Sequence, residues 1–167
     1  NVLWLGPQYV IDNSGQRRHH AFAGAAQKRG LSCESLLFQP ESDRPDMEAR
    51  DVAPAYRAMS ERLGRPREFT AIACYNDATA IGALAAIRDA GLHVPDDLSL
   101  IGYDNYQSNF QVPSLSTIDA GLFDLGVRAS ELMRELAEDD AAAKRLRGYR
   151  EKIVPHLVVR ESTAPPK

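Results

Sequence analysis

Apolar positions along the chain fall into two rhythms. Short continuous runs of four to six apolar residues suit strands buried on both faces, and apolar residues recurring every three or four positions suit amphipathic helices. Val2 to Leu5 is the first such run, closed by Gly6-Pro7. A helix capped by Asp12, Asn13 or Ser14 runs to about Arg29, with Phe22, Ala25 and Ala26 as its apolar face and Gly30 just past its end. Glu34 to Phe38 is a second strand. A second helix spans Asp51 to Gly64, with Val52, Tyr56, Met59 and Leu63 on one side and Pro54 tolerated in the first turn.

The stretch from Phe69 to Asn105 organises the rest. It reads FTAIACYND, ATAIGALAAIRDAGL, HVPDD and LSLIGYDN. Two buried strands flank a helix carrying Ile81, Leu84, Ala85 and Ile87, which ends where Gly91 supplies a left-handed residue. Strand, helix, strand in so short a span is a βαβ unit of a parallel sheet. Each strand ends in a polar pair, Asn76-Asp77 and Asp104-Asn105. Ligands of open parallel sheets bind outside the carboxyl ends of the strands, so these pairs are the first candidates for a site. Asp77 and Asp104 could form an acid–base pair, but Asp77 also stands where it would cap the following helix.

Beyond Asp104 lies a loop with Tyr106 and Phe110, which either closes over a ligand or pins the loop to the surface. Thr117 to Asp119 is briefly extended. Leu125, Ala129, Leu132 and Leu136 predict a helix over Leu122 to Ala137, and Glu138 to Lys152 is a charge-rich connection. Ile153 to Arg160 reads as a last strand, at an edge because of Pro155.

Composition narrows the function classes. With 167 residues, 44% apolar and 26% charged, this is an ordinary globular chain with one good core. A net charge of −3 gives it no basic face with which to grip nucleic acid by itself. No run approaches the roughly 18 apolar residues of a membrane-spanning helix. Of the two cysteines, Cys74 lies in a buried strand and reads as a small hydrophobe, so a reducing cytoplasm is the default. The chain opens without Met in a core strand, which leads us to expect that an N-terminal portion precedes it.

Two features are ambiguous. Arg17, Arg18, His19 and His20 crowd the first turns of the first helix, where cations oppose the macrodipole. They are either a solvated basic face or a contact for something anionic. The Gln39 to Arg50 loop either walls a crevice or is a surface insertion. There is no glycine-rich dinucleotide fingerprint, phosphate-binding loop or nucleophile elbow, and no metal-ligand spacing of His or Cys, so neither a cofactor nor catalysis is expected.

The segment FTAIACYNDATAIGALAAIRDAGLHVPDDLSLIGYDN resembles the effector-binding core of LacI/GalR-type transcription regulators. PSLSTIDAGLFDLGVRASELM resembles the family's crossing between subdomains, IVPHLVVRESTAPP its final strand and tail, and NVLWLGP with AFAGAAQKRGL the opening of its C-terminal subdomain. The resemblance implies an α/β, parallel-sheet, periplasmic-binding-protein-like fold. Residues 1–116 and 150–162 would form the C-terminal subdomain, 117–149 a crossover helix belonging to the N-terminal subdomain, and 163–167 a loose tail. It further implies a cytoplasmic homodimer that senses a small polar, sugar-like effector and meets operator DNA through a domain outside this sequence. An exported solute-binding protein of the same fold is the alternative. Asn76 and Asp104 match the family's effector contacts. The family's cleft-facing arginine falls on Ala21, and Arg17, one turn earlier, is the candidate replacement.

Overall fold

Alternation along the first strand sets the layers. Leu3 and Leu5 point to one side and Trp4 to the other, and all three are buried. A strand buried on both faces must be central. In the computed structural model, which describes residues 1–8, 14–41, 49–106, 108–139 and 141–165, that is its position. Strands β1 (Val2–Pro7), β2 (Cys33–Phe38), β3 (Ala71–Cys74) and β4 (Ser99–Ile101) form a parallel sheet in the order β2-β1-β3-β4.

Helices α1 (Ser14–Gln27), α2 (Ala49–Leu63) and α3 (Asp77–Asp89) join these strands. The connection from β1 to β2 runs in the opposite direction to those from β2 to β3 and β3 to β4. With right-handed crossovers, α1 therefore covers one face and α2 with α3 the other. On the α1 face Trp4 meets Phe22 at a ring separation of 5.8 Å. On the other face Leu3, Leu5 and Ile72 pack with Met59, Leu84 and Ile87. The order reverses between β1 and β3, and at such a switch point a crevice opens at the carboxyl ends of the strands.

The chain then leaves this sheet. Ser116 makes one parallel bridge to Ile101, after which β5 (Thr117–Asp119) pairs antiparallel with β6 (His156–Val158), Thr117 opposite Val158. Between them lie α4 (Leu122–Glu138) and the four-residue α5 (Ala142–Arg145). Gly121 enters α4 at φ +69°, and a Cβ there would come within 2.4 Å of the Ile153 side chain. Helix α4 buries no residue: Phe123 and Met133 are 83% and 70% exposed, and Leu122, Leu125 and Leu136 are exposed beside them. Residues 160–164 return to the main sheet, where Leu100 N–H donates to the Ser162 carbonyl at 2.7 Å.

Several expected boundaries shift for identifiable reasons. Helix α2 starts at Ala49, two residues early, so Pro54 sits in the second turn rather than the first. Pro54 cannot donate to Arg50, and the Arg50 carbonyl instead accepts from Glu41 N–H at 3.3 Å. The last strand shrinks to three residues and leaves Pro155 outside it, and the charge-rich connection contains α5. Gly30 and Gly91 take the left-handed conformation expected after α1 and α3. The expected caps Asp12 and Asn13 lie outside the described residues, as do 42–48 of the Gln39 to Arg50 loop.

Candidate functional site

The carboxyl ends of β3 and β4 carry the two polar pairs side by side. Asn76 is the N-cap of α3: its Oδ1 accepts from Thr79 N–H at 2.7 Å, while its Nδ2 donates to Asp51 Oδ2 at 2.9 Å. The cap is therefore Asn76 and not, as the sequence suggested, Asp77. Capping needs an extended backbone one residue before the helix, and Asn76 has φ −152° and ψ 179°. Half of the Asn76 hydrogen-bonding capacity is thus committed within the chain. Burial raises the Asp51 carboxyl above its ordinary value, against the pull of the Asn76 amide and of Arg50. We expect Asn76→Ala to cost about 1–2 kcal/mol through the lost cap alone, and more if Asp51 is left unpaired. The shift in urea midpoint measures it.

Asp77 faces the other way. Its carboxylate accepts from the Thr117 hydroxyl at 2.7 Å and from Tyr106 N–H at 3.0 Å, and its own N–H donates to the Tyr103 carbonyl at 2.8 Å. Gly102 passes so close that a Cβ would lie 2.1 Å from Asp77 Oδ1. Burial drives the Asp77 carboxyl up, and these hydrogen bonds oppose it. Asp77 is therefore a brace between the start of α3 and the crossing strand β5. Arg160 completes the brace, donating to Ser108 Oγ at 2.8 Å, to the Leu115 carbonyl at 2.7 Å and to Asn105 Oδ1 at 2.7 Å. Asn105 in turn donates to Asp119 Oδ2 at 2.8 Å. The loop after β4 is tied by this network to both crossing segments.

Asp104 is the member of the four left available. Its backbone takes φ +103°, a region that costs a residue with a Cβ on the order of 1–3 kcal/mol. Its N–H donates to the Ile118 carbonyl at 2.8 Å, but its half-buried carboxylate has no hydrogen-bond partner among the described residues. Burial raises its pKa, the Arg18 field pulls it back, and the charge of Asp77 adds to the rise. Strain, burial and an unmet acceptor thus coincide at one residue.

Arg18 is the cation beside it. Its guanidinium lies 4.3 Å from the Tyr75 ring centroid and 4.2 Å from that of Tyr103, and Nη1 donates to the Tyr75 carbonyl at 2.8 Å. No direct ion pair joins Arg18 to Asp104 among the described residues, although the Arg18 charge acts on the Asp104 carboxyl. Arg17, the sequence candidate, is exposed. On a helix the difference between stepping back three and four residues from Ala21 is about 100°, and Tyr75 and Tyr103 select residue 18. Neither ring was singled out from the sequence, because aromatic partners of a cation reveal themselves only when two strand ends meet. Tyr106 and Phe110 stand 62% and 78% exposed, so they pin nothing down. Among the described residues no three His, Cys, Asp or Glu side chains are grouped to hold a metal, and no helix is long and apolar enough to cross a membrane.

Residues 5–163 match the family model of the periplasmic binding protein-like domain. The chain belongs to that family. This periplasmic binding protein-like domain is 43% identical over 143 residues to the HTH-type transcriptional regulator GalR of Salmonella typhimurium, covering 80% of this chain and 42% of the relative. It superposes with a TM-score of 0.75 on a LacI-family transcriptional regulatory protein from Corynebacterium glutamicum, at 30% identity, over 99% of this chain and 59% of that one. A LacI family transcriptional regulator from Enterococcus faecalis with bound ribose superposes equally well, with a TM-score of 0.75, at 27% identity over 99% of this chain and 55% of that one. The domain spans about half or less of the length of the curated relatives it matches.

Proposed function

We propose that the domain is the effector-sensing part of a LacI-type transcription regulator. A small polar, sugar-like metabolite enters the crevice at the ends of β3 and β4, where its hydroxyls donate to Asp104. The observation that carries this reading is the Asp104 carboxylate, strained, half-buried and without a hydrogen-bond partner among the described residues. A carboxylate accepting two hydroxyl donors orients a polyol strongly. Asn76, at the end of the neighbouring strand, has one amide hydrogen and one lone pair left over for the same ligand.

The opposite wall of the cleft belongs to a second subdomain, into which residues 117–149 cross. The exposed apolar stripe of α4 supports this, since such a stripe in water wants a covering layer. Ligand closure then shifts a two-state equilibrium, by no more than the ligand's differential affinity for the two states. The Asp77–Thr117 and Arg160–Asn105 bonds join the loop bearing Asp104 to the crossing segments, so movement of one is felt by the other. The full protein works in the cytoplasm as a homodimer and meets operator DNA through a separate domain. Symmetric pairs are the commonest oligomers on general grounds.

The test is calorimetry of the full gene product against a panel of sugars and related polyols, paired with operator binding in the presence of each hit. A hit that alters operator affinity supports the reading; no hit, or hits without effect on DNA, defeats it. Within the site, we expect Arg18→Ala to weaken the hit about tenfold and Arg17→Ala to change it less than twofold. Equal losses would return Arg17 to the site.

A further inference from the structure

Among the described residues, the non-glycine positions with positive φ are two neighbours, Asp104 at +103° and Asn105 at +57°. Asn visits the left-handed region more readily than most residues, but two such positions in a row persist only where their surroundings over-determine them. The Asn105 side chain supplies that constraint. Its Oδ1 accepts from Arg160 Nη2 at 2.7 Å, with the Ser108 hydroxyl 3.0 Å away, and its Nδ2 donates to Asp119 Oδ2 at 2.8 Å. A guanidinium has no acceptor and an ionised carboxylate no donor, so the amide can take only this orientation.

These partners come from separate parts of the chain. Asp119 ends β5 and Arg160 lies in the segment returning from β6, so both crossing segments grip Asn105 at once. Its backbone N–H adds a longer contact to Thr117 Oγ1, at 3.4 Å. The carbonyl of Ile118, between Thr117 and Asp119, accepts from Asp104 N–H at 2.8 Å. Asp104 and Asn105 are thus fixed against three successive residues of β5. Asp119 Oδ1 also accepts from Gly121 N–H at 2.7 Å, where the left-handed Gly121 leads into α4. The Gly121 N–H and the Asn105 amide hold the Asp119 carboxyl below the ordinary carboxylate range.

We propose that Asn105 is the positioning residue of the effector site: its amide, clamped between Arg160 and Asp119, holds the Asp104 backbone in the conformation that presents the carboxylate to ligand hydroxyls. This rests on the sensor reading above and adds to it a residue that need not touch the ligand. An acceptor set in place beforehand raises affinity, because binding no longer has to order it.

The experiment uses the full gene product as the parent, Asn105→Gly, Asn105→Asp, and Asn105→Asp combined with Asp119→Asn. Glycine adopts positive φ freely, so Asn105→Gly keeps the backbone conformation accessible and removes only the clamp. Asn105→Asp alone sets two carboxylates at hydrogen-bond distance. The double exchange restores each bond with donor and acceptor reversed: the amide at 119 donates to the carboxylate at 105, which still accepts from Arg160. Amide hydrogen exchange without any ligand reads the clamp. In both single variants we expect the Gly102, Asp104 and Tyr106 amides to exchange about tenfold faster or more, with the β3 amides at the parent rate. Calorimetry against ribose and the rest of the sugar panel reads the consequence, about a tenfold loss of affinity in each single variant. The double exchange should return both readouts to within about threefold of the parent. Exchange that quickens equally across the sheet, single variants that bind within about threefold of the parent, or a double exchange that recovers nothing overturns the proposal. If no sugar binds the parent, the sensor reading falls and the ligand role of Asn105 falls with it. If sugars bind the parent and the variants behave otherwise than expected, the positioning role alone falls.

Discussion

Asp104→Ala will weaken binding of the crevice ligand by about 100- to 1,000-fold while leaving the protein folded. Two hydroxyl donors to an ionised acceptor contribute on the order of 1.5–3 kcal/mol each, and every 1.4 kcal/mol is tenfold in affinity. Isothermal calorimetry on the full gene product reads it, and an affinity within threefold of the parent would remove Asp104 from the site. The pH profile gives an independent check. Donors bind the ionised carboxylate, so binding expels its proton and affinity falls as the medium is acidified through the Asp104 pKa. Burial raises that pKa above the ordinary carboxylate range, so the fall begins at a higher pH than an exposed aspartate would give. Asp104→Asn should abolish that dependence.

Stability carries the opposite sign. A carboxyl whose folded pKa is raised contributes stability that is fully present below its unfolded pKa and lost as pH rises through the folded value. At neutral pH the ionised Asp104 is therefore a burden on the fold, increased by its positive φ. We expect Asp104→Asn to be no less stable than the parent at pH 7, because Asn tolerates the left-handed region and needs no ionised form buried. Lost binding with retained or improved stability is the pattern of a residue kept for a ligand.

Gly82→Ala will be the most damaging single methyl in the core. A Cβ at Gly82 would stand 2.2 Å from the Val52 carbonyl oxygen, 3.0 Å from Ala55 Cβ and 3.0 Å from Tyr56 N, so α2 and α3 touch backbone to backbone there. The obstructing atoms belong to a helix and cannot swing aside. Inserting a methyl group must push the helices apart, at about 3 kcal/mol, near the top of the usual range for overpacking. Gly24→Ala in α1 is the control, because nothing lies within 4 Å of its Cβ position. There, helix propensity alone should add about 0.5–1 kcal/mol. Urea midpoints at constant slope measure both, and equal effects would refute the close helix contact.

The parallel sheet could be read from the sequence because its central strands are buried on both faces. A run such as Val2 to Leu5 or Ile72 to Cys74 has no other home than the middle of a layered domain. Helix α3 could be read because its apolar spacing is closed by Gly91, a residue chosen for its backbone freedom. Asp104 was legible as a polar residue at a strand end. Its missing hydrogen-bond partner was not, since that depends on where Thr117, Tyr106 and Arg160 fall, and each bonds an Asp77 or Asn105 group 29 or more residues away in the chain. The same network explains why Asp77 reads as a cap and acts as a brace.

By itself, then, the sequence determined what local patterning controls: the element order, the α/β class, and the polar pairs at the strand ends where we propose the ligand site. Tertiary structure decided which side chains meet there. It put Arg18, not Arg17, between two tyrosines, committed Asn76 to Thr79 and Asp51, and left the Asp104 carboxylate without a hydrogen-bond partner among the described residues. The reason is physical. Periodicity fixes which face a residue occupies, because burial is a one-body property of each position. Hydrogen bonds and cation–π contacts are pairwise, and their partners come together only when distant strand ends are laid side by side.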